Sequence, residues 1–196
     1  MTDTRKPMTP KAMFFTKGIG VHKLRLASFE LALRQASIEK FNLVPVSSIF
    51  PPHCKIVKRS DALTGKKSNG EKKWNLYPGD VTFAVIARND TDEQGRLVSA
   101  GVGLAQPMDS NRYGYLSEVH EYGMGPKQSS ELAEDLAAEM LASTLGLTFD
   151  PDKSWNQRKE EWAIAGKIYR PRSVVQCGKG KQKMWTSVVA AAVFIL

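Results

Sequence analysis

Residues 42–52 read Asn-Leu-Val-Pro-Val-Ser-Ser-Ile-Phe-Pro-Pro, an apolar run that carries two adjacent serines into a double proline. Valine and isoleucine favour extended backbone because their branched side chains pack well on a pleated surface. Proline has no N–H to donate and restricts the residue before it, so Pro51 and Pro52 end the run. The stretch therefore predicts a strand over residues 42–50, with Ser47 and Ser48 inside it.

The serine pair offers a chemical possibility beyond its strand. The Ser48 hydroxyl can attack the Ser47 carbonyl and shift the peptide bond to an ester. β-Elimination then breaks the ester, and hydrolysis leaves a pyruvoyl group at position 48. Such a ketone forms an imine with an amino acid and accepts the electrons of the breaking carboxylate bond, which is the role of pyridoxal phosphate elsewhere. Ser-Ser is also a common dipeptide, so an ordinary strand end is the more frequent interpretation of these two residues alone.

Periodicity along the chain predicts an α+β fold. Apolar residues recur at helical spacing over 24–38, and a second helix should begin with Ser129 or Ser130 as N-cap and end before Gly146. The polar segment 89–95 lies between two strands and predicts a hairpin. The helices stand between strands, which favours α+β layering over a doubly wound sheet. The expected strands cover residues 13–16, 42–50, 81–88, 96–104, 114–122, 162–169 and 184–195.

Three blocks of the sequence, residues 24–38, 42–52 and 114–118, resemble the pyruvoyl-dependent arginine decarboxylases in both order and spacing. The first two blocks form an almost continuous match. The resemblance implies a single decarboxylase domain over 1–196, folded as a four-layer α/β/β/α sandwich. It also implies a homotrimer, or a dimer of trimers, with active sites between subunits.

The resemblance further implies an activity and a site. The bond between Ser47 and Ser48 would be cut to give a β chain, residues 1–47, and an α chain, residues 48–196, with a covalent pyruvoyl cofactor at position 48. The enzyme would convert L-arginine to agmatine and carbon dioxide without pyridoxal phosphate. The residues carried over are Ser47, Ser48, Asn42 and Ile49 in the pocket, Glu118 as the proton donor, and Glu30 facing the guanidinium where the family has an aspartate.

The two acids have ordinary alternatives. Strand alternation puts Glu118 on one face with His120, where partial burial is expected, and Glu121 on the other face. An exposed strand glutamate is the simpler interpretation of Glu118, and Glu121 and His120 compete with it as candidate acids. Glu30 lies one turn before Arg34, so the simpler interpretation there is a surface ion pair worth a few tenths of a kcal/mol. The resemblance alone selects Glu118 and Glu30.

Composition agrees with an enzyme of this kind. The chain has 196 residues and 42% hydrophobic content, enough for a folded core. No apolar run is long enough to span a bilayer, and residues 1–7 lack the apolar core of a signal peptide, so a cytoplasmic location without membrane contact is expected. Cys54 and Cys177 are expected to be free thiols. The histidines and cysteines are too scattered to predict a metal site.

The net charge of +8 raises the question of a nucleic-acid partner. The basic residues concentrate in 55–73 and 179–183, where glycines or polar residues accompany them, as is typical of solvated loops. No accompanying pattern of stacking aromatic residues indicates nucleic-acid binding. Residues 58–76 form a basic insertion to which the resemblance assigns no counterpart. The competing hypothesis is a non-catalytic basic α+β protein for binding or assembly, in which the bond between Ser47 and Ser48 stays intact.

Overall fold

The computed structural model describes residues 8–65, 74, 76–147, 157 and 168–196, although the side chains of 168–170 are outside the description. Its helices and strands are β1 (Ala12–His22), α1 (Arg25–Ala36), β2 (Asn42–Pro45), β3 (Ile49–Phe50), β4 (Lys55–Ile56), α2 (Arg59–Thr64), β5 (Val81–Thr91), β6 (Leu97–Pro107), β7 (Gly114–Tyr122), α3 (Pro126–Thr144), β8 (Ile168–Lys179) and β9 (Trp185–Ile195). Two sheets and a few helices make this a mixed fold, compatible with the predicted α+β class.

The strands form two sheets. The first sheet has the order β2-β5-β9-β1-β4, and the second has the order β3-β7-β6-β8. The central pair of the first sheet is β1 with β9, antiparallel from Ala12 opposite Ile195 to His22 opposite Trp185. The strands predicted at 114–122 and 184–195 are confirmed within one residue. The first strand is much longer than the predicted 13–16 because it pairs with β9 along the whole length of both strands.

A shared apolar core joins the two sheets. Its buried members include Met13 and Val85 from the first sheet and Val102 and Leu116 from the second. Helix α1 packs on the other face of β1 and β9, and α3 packs on β6, β7 and β8. The approach of α1 is close: a Cβ at Gly18 would lie 2.0 Å from a backbone carbonyl of α1. Glycine at this point of β1 therefore sets the distance between helix and sheet.

The prediction of one strand over 42–50 is wrong. The stretch is split into β2, which pairs with β5 in the first sheet, and β3, which pairs with β7 in the second. Apolar alternation indicated extended backbone correctly, but it carries no information about which sheet each half joins. The two serines lie at the break, so the chain crosses from one sheet to the other there.

The predicted hairpin at residues 89–95 is also wrong. Strand β5 pairs with β2 and β9, whereas β6 pairs with β7 and β8, so the turn connects the two sheets. Both strands are longer than predicted and run to Thr91 and Pro107. A short polar turn between two strands fits a hairpin and a sheet-to-sheet connection equally well, and the shared core decides between them.

Helix α3 begins earlier than predicted. Gly125 is its N-cap, Pro126 occupies the first helical position, and the Gln128 side chain accepts a hydrogen bond from the Gly125 N–H at 3.1 Å. Ser129 is instead buried and donates to a serine of β6 at 2.8 Å. The hydroxyls predicted to cap the helix thus tie it to the second sheet. The predicted end before Gly146, which has a φ of 68°, is confirmed.

Other predictions fall partly outside the described residues. Most of the strand expected over 162–169 lies outside the described residues. Its end overlaps the start of β8 at Ile168. The basic insertion 58–76 contains the short helix α2, which the sequence did not predict, and most of the remainder is outside the description. Cys54 and Cys177 are free thiols, as predicted. Among the described residues, no helix is both long and apolar enough to cross a membrane.

Candidate active site

The serine pair bridges the two sheets. Just beyond β2, the Val46 N–H still donates to a β5 carbonyl at 3.1 Å, so the chain belongs to the first sheet up to this point. Ile49 begins β3 and lies opposite β7 in the second sheet. Ser47, which is exposed, and Ser48, which is half-buried, fill the interval. The peptide bond between them is therefore held by a different sheet at each end.

Both carbonyls of the serine pair accept backbone hydrogen bonds. The Ile49 N–H donates to the Ser47 oxygen at 2.9 Å, and the Leu116 N–H of β7 donates to the Ser48 oxygen at 2.7 Å. The first of these bonds closes a three-residue turn around Ser48, of the inverse γ type because Ser48 has a negative φ. A donor on the Ser47 oxygen draws electrons from the carbonyl carbon, which makes that carbon more open to attack by a neighbouring hydroxyl.

An open cavity of about 370 Å³ lies beside the serine pair. Ser47 and Ile49 line it together with Val46, Phe83 and Phe194, so its wall is mostly apolar. Ile49 is 39% exposed although it lies in a strand. The predicted pocket residues Ser47 and Ile49 thus share one cavity, whereas Asn42, Glu30 and Glu118 are outside its lining.

Glu118 lies on β7 two residues beyond Leu116, whose N–H holds the Ser48 oxygen. A two-residue step along a strand is about 7 Å and keeps the side chain on the same face. Leu116 faces the core between the sheets, so Glu118 also points toward the first sheet, as the alternation predicted. Its side chain is 35% exposed, and its Oε2 lies 4.0 Å from Nε2 of His120. Glu118 therefore belongs to the same edge of the molecule as the serine pair.

Asn42 and Glu30 lie elsewhere in the single chain. The Asn42 side-chain amide donates to the Gly79 carbonyl at 2.7 Å. Four residues of extended chain, about 13 Å, separate Asn42 from Val46. Glu30 accepts a hydrogen bond from Arg34 on the outward helix α1, which is the ion pair that the spacing predicted. Ser47 and Ile49 thus share one cavity, and Glu118 lies on the strand that holds the Ser48 oxygen, whereas these two residues are bound elsewhere.

The sequence did not reveal the backbone groups of the site. The N–H groups of Ile49 and Leu116 are functional candidates through their position, and any residue except proline could supply them. Leu116 lies within the block 114–118 that carried the resemblance, but its pairing with Ser48 depends on the register of β3 against β7. No side-chain pattern could have indicated these two donors.

Comparison of the sequence with known proteins places this chain among the pyruvoyl-dependent lyases. A family model described as pyruvoyl-dependent arginine decarboxylase matches residues 12–196. The chain therefore belongs to the pyruvoyl-dependent arginine decarboxylase family, which confirms the resemblance.

Curated relatives match over nearly their whole length. A protein of Chlorobaculum tepidum named probable pyruvoyl-dependent arginine decarboxylase is 50% identical over 95% of this chain and 97% of its own. Pyruvoyl-dependent arginine decarboxylases of Methanococcoides burtonii and Nitrosopumilus maritimus are 47% and 44% identical, over 96% of this chain and 100% and 98% of theirs. The family match begins at the first residue of β1 and continues through β9, so it includes the residues of the serine pair and of β7.

Proposed function

We propose that this chain is a self-processing decarboxylase that converts L-arginine to agmatine and carbon dioxide. The observation that carries the proposal is the hydrogen-bonded peptide bond between Ser47 and Ser48 at the crossing between the sheets. The names of the relatives, which share about half of its residues, support arginine as the substrate. Nearby Glu118 supplies the acid that such a reaction requires.

Self-processing begins with the Ser48 hydroxyl, whose oxygen attacks the Ser47 carbonyl carbon. The hydroxyl proton passes to the departing Ser48 nitrogen, the carbon–nitrogen bond breaks and an ester forms, while the Ile49 N–H stabilises the negative charge on the Ser47 oxygen. Loss of the Ser48 α-proton expels the Ser47 carboxylate and leaves dehydroalanine at position 48. Water then releases ammonia and leaves the pyruvoyl group. The products are residues 1–47 and residues 48–196.

The residues present fit a pyruvoyl group at position 48. The Leu116 N–H would hold the amide oxygen of residue 48 after cleavage as it does before, because that oxygen is untouched by the chemistry. When present, the group supplies an electrophilic ketone that captures the substrate amine and accepts the electrons of the breaking carboxylate bond. The apolar wall beside Ser47 lowers the polarity on one side of that carbonyl, and apolar surroundings favour loss of a charged carboxylate as carbon dioxide.

Glu118 is the proposed proton donor. Loss of carbon dioxide leaves an electron pair on the substrate α-carbon, which must take up one proton to give agmatine. Glu118 faces the gap between the sheets about 7 Å along β7 from the residue that holds Ser48, so its carboxyl can reach an atom bound at position 48. General acids in such positions contribute about 10²–10⁴-fold to the rate.

The proposed assembly is a homotrimer, or a dimer of trimers, of four-layer α/β/β/α subunits. The layer order is supported by α1 on the first sheet, α3 on the second and a shared core between them. Asn42 and Glu30 lie apart from Ser48 within one chain, so they would reach the pyruvoyl group of a neighbouring copy. The open apolar cavity beside Ser47 is consistent with such a neighbour, since it leaves Ile49 uncovered.

Intact-mass analysis of purified protein tests self-processing. We expect masses for residues 1–47 and 48–196, with the longer chain blocked to Edman sequencing, and a full-length Ser48→Ala control. A wild-type chain that stays full-length after prolonged incubation contradicts the proposal. Glu118→Gln tests the donor: we expect normal cleavage with a rate of agmatine formation reduced about 10²-fold or more. Unchanged turnover would remove Glu118 from the mechanism.

A further inference from the structure

His120 is held in a fixed orientation beside Glu118. Its Nδ1 lies 3.1 Å from the backbone oxygen of Arg88 on β5. A carbonyl oxygen accepts hydrogen bonds and has no proton to give, so Nδ1 must carry the proton and act as donor. In the neutral ring the lone pair is then on Nε2, and that nitrogen lies 4.0 Å from Oε2 of Glu118. The backbone of β5 thus sets the tautomer that faces the carboxyl group.

The charged groups around this pair are already balanced. The Arg88 side chain turns away to the other face of β5, where it pairs with Asp90 at 3.0 Å and lies over the Phe29 ring. Asp90 also accepts hydrogen bonds from Arg25 and a serine of β9, and its own carbonyl accepts the Tyr122 hydroxyl. The charges of Arg25, Arg88 and Asp90 therefore pair with one another on the face of the first sheet that points away from His120.

Among the residues that the structure describes, the other charges near His120 point away from it or lie farther along β7, where Arg96 stacks over the Tyr122 ring. Glu121, the next residue, points to the opposite face of β7, and Asn89 of β5 donates to its backbone oxygen at 3.0 Å. The residues of β6 that share the inner face are Val98, Ala100 and Val102, all buried. Among the described residues, Glu118 is thus the ionisable side chain that faces Nε2 of His120.

We propose that His120 is a positioning residue that reloads Glu118 with a proton after each turnover; this rests on the proposed function of Glu118. Arginine decarboxylation consumes one proton: the α-carbon loses its carboxylate as carbon dioxide and gains a hydrogen. Glu118 gives its proton to that carbon and becomes a carboxylate. Nε2–H of the imidazolium then transfers a proton to Oε2 of Glu118, and the neutral ring takes up another from water.

The geometry allows each transfer. The His120 side chain is 45% exposed, so solvent can reach the ring, whereas Glu118 is more covered. The 4.0 Å separation needs a shift of about 1 Å to reach hydrogen-bond length, which two partly exposed side chains can make when a ligand binds. Imidazole is the side chain that normally takes up and releases protons between about pH 5 and 8.

The test uses His120→Ala and His120→Gln in the processed protein, with His22→Gln as the matched control. His22 accepts a backbone hydrogen bond before α1 and lies at the end of β1 in the first sheet, whereas His120 lies in the second sheet. We expect normal cleavage by intact mass and a KM for arginine within about twofold of wild type. We expect kcat to fall at least about tenfold above neutral pH, with a smaller loss in acid, where the carboxylate takes protons directly from solvent. Added imidazole should restore kcat in His120→Ala.

Two results would overturn the inference: wild-type kcat in His120→Ala at every pH, or a loss that is equal at every pH and that imidazole leaves unrestored. Glu118→Gln separates this from the proposed function. If Glu118→Gln is inactive and His120→Ala is fully active, the donor stands and the reloading role is lost. If Glu118→Gln turns over normally, both are lost.

Discussion

The backbone N–H of Ile49 can be removed without disturbing the sheet. Because the Leu116 N–H donates to the Ser48 oxygen, Ile49 and its partner Tyr115 form a pair without mutual hydrogen bonds. The Ile49 N–H therefore points away from β7 and donates at 2.9 Å to Ser47. Ile49→Pro deletes this donor and disfavours the turn around Ser48, while it costs β3 no hydrogen bond to β7.

The expected effect is a large loss of self-cleavage. Removing one donor from a developing oxyanion costs about 2.7–4 kcal/mol, which slows the reaction about 10²–10³-fold. The assay is the rate at which the chain of residues 48–196 appears, measured by intact mass in freshly made precursor. Ile49→Val is the matched control, since it keeps the N–H and the branched side chain.

The same experiment can refute the reasoning. Circular dichroism and thermal unfolding should first establish that Ile49→Pro folds like Ile49→Val. If the folded Ile49→Pro precursor then cleaves as fast as the valine variant, the Ile49 N–H plays no part in polarising the Ser47 carbonyl. A slow reaction in both variants would instead assign the effect to the isoleucine side chain and would also contradict the backbone role.

Three further predictions concern substrate, stability and reactivity. Glu30→Ala should raise the KM for arginine while cleavage and folding persist, because the lost ion pair with Arg34 is worth only a few tenths of a kcal/mol; an unchanged KM removes Glu30 from the pocket. Gly103→Ala should lower the free energy of unfolding by about 1–3 kcal/mol, since its Cβ would lie 2.0 Å from a carbonyl of α3. Gly125→Ala, with 3.9 Å to its nearest neighbour, should show in urea unfolding only the smaller loss, below about 1 kcal/mol, of a favourable N-cap. Burial raises the pKa of the Cys54 thiol to about 12, so alkylation of Cys54 near pH 8 should require unfolding. Because the unfolded thiol ionises at lower pH than the folded one, the free energy of unfolding should fall as the pH rises past the pKa of the unfolded thiol. Rapid labelling of the native protein would contradict this.

Apolar periodicity predicted individual strands and helices, but not how the strands pair. The strand at 114–122 and the helix over 24–38 each bury one face, so apolar periodicity could predict them. The strand at 184–195 was predicted from its continuous apolar run, because β9 is buried on both faces. The crossing at 42–50 and the connection at 89–95 could not be predicted, because which strand pairs with which depends on contacts between residues far apart in sequence.

The candidate site was likewise predictable only where it depends on neighbouring residues in the sequence. The chemistry of Ser47 and Ser48 is a property of the two residues, so the sequence could point to it. Glu118 was placed on the correct face by alternation, but its nearness to the serine pair depends on the register between β3 and β7. The hydrogen bond from His120 to the backbone of β5 joins the two sheets, and no spacing along the chain indicates it.

The crossing between the sheets also bears on how the mature protein would unfold. Cleavage there would leave β1, α1 and β2 on a separate polypeptide that keeps its eleven-residue pairing with β9. The native state would persist as a complex of two chains, whereas its unfolded state would be two molecules. The melting temperature should then depend on protein concentration, and refolding would be a bimolecular reassembly. Folding of the uncleaved chain would be unimolecular, whereas the cleaved protein would be held together by the contacts between its two polypeptides.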